Sequence, residues 1–234
     1  MLIDLDETIL CFGKREDLLQ EVAREFAAEA APVSFQELAV LVETAFVEFW
    51  SDAERHRVSR LQPLEAIRRV ILGQLFETLR ERAPGLTAAV ATTFADRFHD
   101  YREGRVACFE GAIDTIDALR ARGVKLALVT NGRTEVQRAK INRFDLTHRF
   151  DHIQIEEEHG VGKPDERCYR HAMQVLNVRP SDCWMVGDNL EWEVAAPQRL
   201  GIYSIWVDAY GRGLPDDSII KPDRIIRSLS ELMP

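Results

Sequence analysis

The sequence has 234 residues, of which 46% are hydrophobic, and its formal net charge is −9. This composition is typical of one large globular domain, or of one domain with a sizeable insert, and it excludes a mainly disordered chain. The acidic balance disfavours nucleic acid and anionic membrane surfaces as partners. The sequence also lacks the run of about 18 apolar residues that a membrane-spanning helix requires.

The cysteines and the first residues indicate where the protein works. The four cysteines form no C-x-x-C pair, so we expect reduced thiols. Cys11 and Cys108 become neighbours if an insert leaves and re-enters the core at one point. The segment Met1–Asp6 carries no basic residue and only a short apolar run, so we expect no signal peptide. We therefore expect a cytoplasmic protein, whose oligomeric state stays open between monomer and homodimer.

Short apolar segments alternate with helical patterns in residues 1–10 and from about 106 to 234. Most of these segments are apolar nearly throughout, as expected for strands of a parallel sheet that is covered on both faces. The alternation predicts a doubly wound, Rossmann-like α/β fold. The predicted strands are Leu2–Leu5, Lys125–Thr130, His152–Ile155, Cys183–Val186 and Ile202–Val207, and the predicted helices are Ala112–Arg122, Thr134–Arg143, Asp165–Leu176 and Leu190–Leu200. The first strand is short for a central one, which leaves open whether the native chain starts upstream of Met1.

The middle of the chain has a helical period only. Four stripes of apolar residues spaced three or four apart predict four amphipathic helices that bury one face each in a bundle. We therefore predict a core domain formed by residues 1–13 and 105–234, and a helical cap domain formed by residues 14–104, with hinges near residues 11–14 and 105–109. The stripes begin at Leu18, Leu38, Leu64 and Leu86.

Four polar segments lie where predicted strands end. The carboxyl ends of parallel strands meet at one edge of an open sheet, where ligands bind. The first segment is Asp4-Leu5-Asp6-Glu7-Thr8, in which Asp4 and Asp6 start in parallel directions because they are two residues apart. Two carboxylates this close repel unless a cation or a shared proton relieves them. A divalent metal suits one carboxylate, and the other is then available as acid and base; a solvated acidic loop is the alternative.

The second and third segments offer groups that suit a phosphate. In Thr130-Asn131-Gly132, a hydroxyl and an amide reach the rim, and the helix predicted to start at Thr134 presents backbone N–H groups to an anion. Thr134 and Gln137 have the spacing of a capping box. Lys163, between Gly162 and Pro164, is placed to neutralise a phosphate and a neighbouring carboxylate. An ordinary strand–turn–helix and a solvated surface lysine are the alternatives.

The fourth segment completes a candidate metal site. Asp188 follows a strand that ends at Gly187, and with Asp4 it supplies the oxygen ligands that Mg²⁺ prefers. Because Mg²⁺ keeps several waters, Asn189 and Glu193 are predicted to hold metal-bound water. The alternative for Asp188 or Asn189 is a helix N-cap, which is a common role for both residue types.

These four motifs, in this order and with a helical insert after the first, resemble the haloacid dehalogenase (HAD) superfamily of hydrolases, in its phosphatase branch with a helical cap of the first type. The resemblance covers essentially the whole chain. It implies that Asp4 attacks phosphorus and that Asp6 protonates the leaving oxygen and then deprotonates water. It further implies phosphoryl contacts from Thr130 and Asn131, with Gly132 beside them, and a Lys163 that orients Asp4. The Asp4 and Asp188 carboxylates and the Asp6 backbone carbonyl would bind Mg²⁺.

The sequence departs from the family pattern at two places. Trp192-Glu193 stands where the family usually has Asn-Asp, so the contact of the longer Glu193 with metal-bound water is in doubt, and Glu7 stands where many members have glycine. The resemblance implies a phosphatase for a small phosphorylated metabolite of the nucleotide, sugar phosphate or phosphoglycolate type. A 2-haloacid dehalogenase, a phosphomutase and a non-catalytic binding protein stay open as alternatives, although Asp6 argues against the first.

Overall fold

The computed structural model describes residues 1–233, apart from the side chains of residues 53 and 57. The chain divides into two compact units, one formed by Met1–Cys11 together with the chain from Ala107 onward, and the other by Phe12–Val106. Strands β1 (Leu2–Ile3) and β2 (Leu10–Cys11) come first. Six helices follow: α1 (Arg15–Glu25), α2 (Ala27–Ala30), α3 (Phe35–Ser51), α4 (Ala53–Ser59), α5 (Leu64–Leu79) and α6 (Ala88–Gly104).

The second unit is a helical bundle with an aromatic core. Its four long helices bury most of the predicted apolar stripes, but Leu64 on α5 is 37% exposed, and Leu72 and Phe76, which lie outside the predicted stripe of that helix, are fully buried. The short helices α2 and α4 lie between the long ones in the chain. The Ser34 hydroxyl caps α3 by accepting a hydrogen bond from the backbone N–H of Glu37.

Phe94 is fully buried, with its ring centroid 5.1 Å from that of Phe26 and 5.8 Å from that of Phe76. The helical period of the sequence therefore places most of the right residues in this core.

The first unit continues through a mixed series of strands and helices after the bundle. In chain order these are β3 (Ala107–Cys108), α7 (Ala112–Ala121), β4 (Ala127–Thr130), α8 (Thr134–Arg143), β5 (His152–Ile155), α9 (Glu156–His159), α10 (Glu166–Leu176), β6 (Trp184–Gly187), a π-helix (Leu190–Ala195), α11 (Ala196–Arg199), β7 (Tyr203–Val207) and β8 (Arg224–Ile226).

The main sheet of this unit has six parallel strands in the order β5-β4-β1-β6-β7-β8. Strand β1 lies between β4 and β6, with Leu2 beside Ala127 on one side and Met185 on the other. Buried residues of α10, among them Tyr169 and Met173, pack with residues of these strands. The predicted doubly wound α/β fold is confirmed. None of the helices within residues 1–233 combines the length and apolarity that a bilayer crossing requires.

Three local predictions need correction. Strand β1 spans only Leu2–Ile3, two residues fewer than predicted, and a turn follows at residues 7–9. The predicted helix Leu190–Leu200 is instead a π-helix followed by the short helix α11, which has Pro197 in its first turn. Strand β8 was not predicted. It has only three residues, two of which are exposed, so it gives no apolar run in the sequence.

Strands β2 and β3 form a separate antiparallel pair, in which Leu10 lies beside Cys108 and Cys11 beside Ala107. The pair lies in the first unit, directly before and directly after the segment 12–106 that forms the second unit. It therefore brings Cys11 and Cys108 close together, as an insert of this kind requires. All four cysteines are free thiols, as the sequence predicts.

Phe94→Ala is expected to destabilise the helical unit by about 3–5 kcal/mol, because it leaves a cavity between Phe26 and Phe76. Urea unfolding followed by the helical circular dichroism signal measures this change. The matched control is Val70→Ala on α5, where the side chain is 52% exposed and little change is expected. A loss below about 1 kcal/mol for Phe94→Ala would contradict this description of the core.

Candidate active site

The predicted site residues come together at one edge of the six-stranded sheet, within the first unit. Asp4 follows β1, Thr130 ends β4 and Asp188 follows β6, and these three strands are neighbours at the centre of the sheet. Asp4 stays tied to the ladder, since its backbone N–H donates to the Val186 carbonyl over 3.0 Å. Lys163 comes from the loop between α9 and α10.

Lys163 is the centre of this site. Its side chain is 1% exposed, and its Nζ lies 2.5 Å from Asp4 Oδ1 and 2.7 Å from Glu193 Oε1. Burial alone would lower the pKa of Lys163, but the carboxylates of Asp4 and Glu193 outweigh burial and hold it above its usual value. The two carboxylates thus favour the charged form of the lysine, which ties the first motif to the fourth.

Carboxylates outnumber cations around Lys163. Burial raises the pKa of Asp4, although Lys163 opposes that rise. Burial also raises the pKa of Glu193 to about 7, again against the effect of Lys163. The pKa of Asp188 is raised well above its usual value by burial and by the nearby Glu193 and Asp4. Three carboxyl groups therefore surround one ammonium group, and their raised pKa values show that this crowding disfavours their charged forms when no further cation is bound.

This donor set fits a divalent cation that takes few protein ligands. Mg²⁺ is typically bound through one or two carboxylates together with waters. Asp4 and Asp188 provide two carboxylates, and no protein hydrogen bond to the Asp188 carboxylate occurs among residues 1–233. In the same range, no group of three or more histidine, cysteine, aspartate or glutamate side chains forms a preformed metal cage. The arrangement therefore fits a Mg²⁺ ion that keeps much of its water, and not an all-protein site.

Glu193 and Asn189 have partners that the sequence did not indicate. Glu193 uses one oxygen for Lys163 and accepts a hydrogen bond from the Asn189 backbone N–H with the other, over 2.8 Å. Asn189 caps the π-helix, because its Oδ1 accepts from the backbone N–H groups of Glu191 and Trp192. The helix-cap alternative thus applies to Asn189, and the contacts of both residues with metal-bound water stay predictions.

Asn131 holds the loop that carries Lys163. Its Nδ2 donates to the Lys163 carbonyl over 2.7 Å, and its Oδ1 accepts from the Lys163 backbone N–H over 2.8 Å. Gly162 permits this approach, since an added Cβ would lie 2.7 Å from the Asn131 Oδ1 and 2.5 Å from the Glu156 Cδ. The side chain of Asn131 is therefore engaged with the protein, and its contact with a phosphoryl oxygen stays a prediction.

The start of α8 differs from the prediction. The backbone N–H of Gly132 donates to Glu156 over 3.1 Å, and that of Thr134 donates to Glu157 over 2.6 Å. The first N–H group of α8, that of Thr134, therefore has a protein partner on α9 and is not free. The predicted capping box is also wrong, since α8 has no side-chain cap. Anion binding by the Gly132 region stays a prediction.

Gln137 and Lys140 are site residues that the sequence reasoning missed. Gln137 Nε2 lies 3.0 Å from Asp6 Oδ2 and 2.7 Å from Thr130 Oγ1, and Lys140 Nζ lies 3.0 and 2.8 Å from the two oxygens of Asp6. The two residues are three apart on α8, so they share one helical face. The available signal was that two polar residues share the face of α8 that leads back to Thr130. Gln137 was interpreted as part of a helix cap instead.

Gly187→Ala is expected to displace Glu193 and loosen Lys163, because an added Cβ would overlap the Glu193 Cγ. Overpacking of this kind costs about 1–3 kcal/mol, which thermal unfolding measures as a lowered midpoint. Gly73→Ala on α5, where an added Cβ meets no atom within 4 Å, is the matched control and is expected to keep or raise the midpoint. Equal midpoints for Gly187→Ala and the unmodified protein would contradict the close contact.

The fold and the site together define a parallel α/β protein whose carboxylate–lysine centre lies at the carboxyl edge of the sheet. A sequence profile of haloacid dehalogenase-like hydrolases matches residues 1–201. The chain is 31% identical to the phosphoserine phosphatase of Thermus thermophilus, over 99% of this chain and 96% of that protein. It is 28% identical to the glyceraldehyde 3-phosphate phosphatase of Pyrococcus furiosus, over 100% of this chain and 90% of that protein.

A solved structure has the same fold. It is that of the HAD-hydrolase YfnB of Bacillus subtilis, described as bound to magnesium, with a TM-score of 0.70 and 22% identity over 99% of this chain and 95% of that one. At this level of identity the likeness concerns the fold alone. The profile match and the full-length relative show that the chain belongs to the haloacid dehalogenase-like hydrolase family, and the predicted family is confirmed.

Proposed function

We propose that this protein is a Mg²⁺-dependent phosphatase that hydrolyses a small phosphorylated metabolite through an aspartyl-phosphate on Asp4. The observation that carries the proposal is the buried contact between Asp4 and Lys163. Asp6 lies two residues after Asp4 and is held in place by side chains of α8. Two relatives that match nearly the full chain are named as phosphatases, which supports a phosphoric monoester hydrolase.

The reaction proceeds in two displacements. An oxygen of Asp4 attacks phosphorus, the bond to the leaving oxygen breaks, and Asp6 gives its proton to that oxygen. A water molecule then attacks the phosphoryl group, Asp6 takes a proton from the water, and the bond between Asp4 and phosphorus breaks. Asp6 thereby regains the proton that it lost, and the products are an alcohol and inorganic phosphate.

The other polar residues bind and orient the phosphoryl group. Thr130, Asn131 and Gly132 are assigned to its oxygens, and Lys163 orients Asp4 and balances its charge. Gln137 supports this assignment for Thr130. The Gln137 Nε2 donates to the Thr130 hydroxyl oxygen over 2.7 Å and thereby fixes it at the end of β4, while the hydroxyl itself donates a long hydrogen bond of 3.4 Å to the Asn131 carbonyl, which a phosphoryl oxygen would replace. Positioning and charge stabilisation of this kind supply most of the catalysis in phosphoryl transfer.

Asp4, Asp188 and the backbone carbonyl of Asp6 are the groups assigned to Mg²⁺, with Asn189 and Glu193 assigned to its waters. When bound, the ion supplies positive charge that offsets the excess carboxylates and the developing charge on the phosphoryl oxygens. The excess of carboxyl groups over cations around Lys163 supports a divalent ion at this place.

The proposed substrate is a small phosphomonoester with its phosphate on a primary carbon. Phosphoserine and glyceraldehyde 3-phosphate, which appear in the names of the two phosphatases, both have this chemistry. Nucleotide, sugar phosphate and phosphoglycolate substrates share the primary phosphate as well. The helical unit is proposed to act as the cap that selects the organic part of the substrate. Its insertion between the paired strands β2 and β3 supports that role.

Asp4→Asn is expected to reduce phosphate release from p-nitrophenyl phosphate by at least about 10³-fold, because an amide cannot form the phosphoenzyme. Removal of divalent ions with a chelator should stop the wild-type reaction, and added Mg²⁺ should restore it. Asp182→Asn, at a surface ion pair with Arg179, is the matched control and should keep the activity. Release that survives Asp4→Asn, or that needs no divalent ion, would reject the mechanism. Chloride release from a 2-haloacid would favour a dehalogenase.

A panel of phosphomonoesters that share a primary phosphate is expected to show clearly different kcat/KM values, because the cap is proposed to select the organic part of the substrate. The panel comprises phosphoserine, glyceraldehyde 3-phosphate, phosphoglycolate, a sugar phosphate and a nucleoside monophosphate, and inorganic phosphate is the measured product. Comparable kcat/KM for all five would contradict selection of the organic part. Isomerised sugar phosphate without phosphate release would indicate a phosphomutase.

A further inference from the structure

A lysine outside the four motifs binds the residue that is assigned to proton transfer. Lys140 lies on α8, and its Nζ is within 3.0 Å of both carboxylate oxygens of Asp6. The Lys140 side chain is 11% exposed, whereas that of Asp6 is 32% exposed. The ammonium group is thus shielded on the protein side of the carboxylate, and Asp6 keeps an open side for a substrate. None of the steps described above uses Lys140.

This ion pair differs from the surface pairs of the same helix. A pair between two exposed side chains contributes little, because water screens it and both side chains lose freedom. Arg138, two residues earlier on α8, makes such a pair with Glu158, in which both side chains are about one-third exposed. The Lys140–Asp6 pair is more shielded, joins positions 134 residues apart and contacts both oxygens of the carboxylate. Gln137 adds a third hydrogen bond to the same group.

Such contacts fix the orientation of a carboxylate. Proton transfer requires the acid to lie within hydrogen-bond reach of the reacting oxygen, and small displacements of a catalytic group reduce the rate strongly. Asp6 lies in a turn, between the end of β1 and Glu7, whose φ is +60°. A turn alone leaves the side-chain rotamer open, and Lys140 with Gln137 restricts it. The helix that follows Thr130 therefore also sets the geometry at Asp6.

We propose that Lys140 is a positioning residue for proton transfer by Asp6, an inference that rests on the phosphatase function proposed above. When Asp6 protonates the leaving oxygen, its O–H bond breaks, a new O–H bond forms on the alcohol, and the electron pair stays on Asp6 as a carboxylate. The Lys140 ammonium group then lies beside the negative charge that this step creates. It orients the acid before transfer and stabilises the carboxylate after transfer.

The role predicts a dependence on the leaving group. An alkoxide leaves poorly without a proton, whereas 2,4-dinitrophenolate leaves well as an anion. Loss of Lys140 should therefore reduce kcat/KM strongly for an alkyl phosphate and weakly for 2,4-dinitrophenyl phosphate. General acid catalysis contributes about 10²–10⁴-fold, so a partly misplaced acid is expected to lose about 10–100-fold with the alkyl ester and less than about 3-fold with the aryl ester. The parameter kcat/KM reports this step because it covers the reaction up to departure of the leaving group.

The experiment compares Lys140→Met, Lys140→Arg and Arg138→Met with wild type on glycerol phosphate and 2,4-dinitrophenyl phosphate. Arg138→Met removes a cation from the same helix without touching Asp6, and it should change neither value by more than about 2-fold. Lys140→Arg keeps the cation and should restore part of the loss. The double variant Asp6→Asn with Lys140→Met should lose no more on the alkyl ester than Asp6→Asn alone, because both changes remove one function.

A second measurement tests the ion pair without activity. The chain has five lysines, so the side-chain ammonium signals in a ¹⁵N-labelled sample are few. The signal that Lys140→Arg removes belongs to Lys140, and Asp6→Asn should shift or broaden it, while Asp182→Asn should not. An unchanged Lys140 signal in Asp6→Asn would overturn the proposal.

The outcomes separate the two proposals. Equal losses of Lys140→Met on both esters, or no loss on either, would overturn the role of Lys140 and leave the phosphatase function standing. Wild-type activity in Asp4→Asn would reject the phosphatase function itself, and the lysine signal would still report whether Lys140 holds Asp6.

Discussion

A buried ammonium group requires paired anions around it, and Lys163 imposes this requirement on the first unit. Removing one partner from a buried charge pair is strongly unfavourable, so Asp4 and Glu193 have to stay in place on either side of Lys163. Asp4 follows β1 and Glu193 follows β6, and the two strands are neighbours in the sheet. Gly187 leaves the room that Glu193 occupies. Gly162 leaves room for Glu156 and for Asn131, which holds the Lys163 loop. The position of Lys163 thus depends on two adjacent strands, on two glycines and on the loop held by Asn131.

Strands and helices contribute different kinds of residue to the site. The groups that would meet the phosphoryl group lie at strand ends, where the sheet fixes their backbone. The groups that hold them come from helices and their connections: Gln137 and Lys140 from α8, Glu156 from α9 and Glu193 from the π-helix. This division suits a reaction in which charge and positioning carry most of the rate, since each reacting group is restricted by a second residue. The excess of carboxyl groups over cations is the feature that supports the proposed divalent ion.

Prediction from sequence succeeded where a residue acts through its own strand or helix. The apolar strands around Asp4, Thr130 and Asp188 carry a pattern of buried residues, and their shared edge follows from the geometry of a parallel sheet. It failed where a polar side chain acts on a distant element. Gln137 satisfies the spacing of a helix cap, yet its amide reaches Thr130 and Asp6. Glu193 was assigned to metal-bound water from its position after Asp188, and its ion pair with Lys163 is a contact that no local rule indicates.

The sequence by itself determined the parallel α/β fold and the positions of the acidic, hydroxyl and lysine motifs, because hydrophobic periodicity and strand-end placement are local properties of the chain. Only the tertiary structure decided which polar groups pair. Lys140 and Asp6 are 134 residues apart, and Lys163 and Asp4 are 159 apart. Contacts at such separations depend on strand order and helix orientation, which the packing of the whole unit fixes. The motifs therefore identify the chemistry, and the packing selects the residues that orient it.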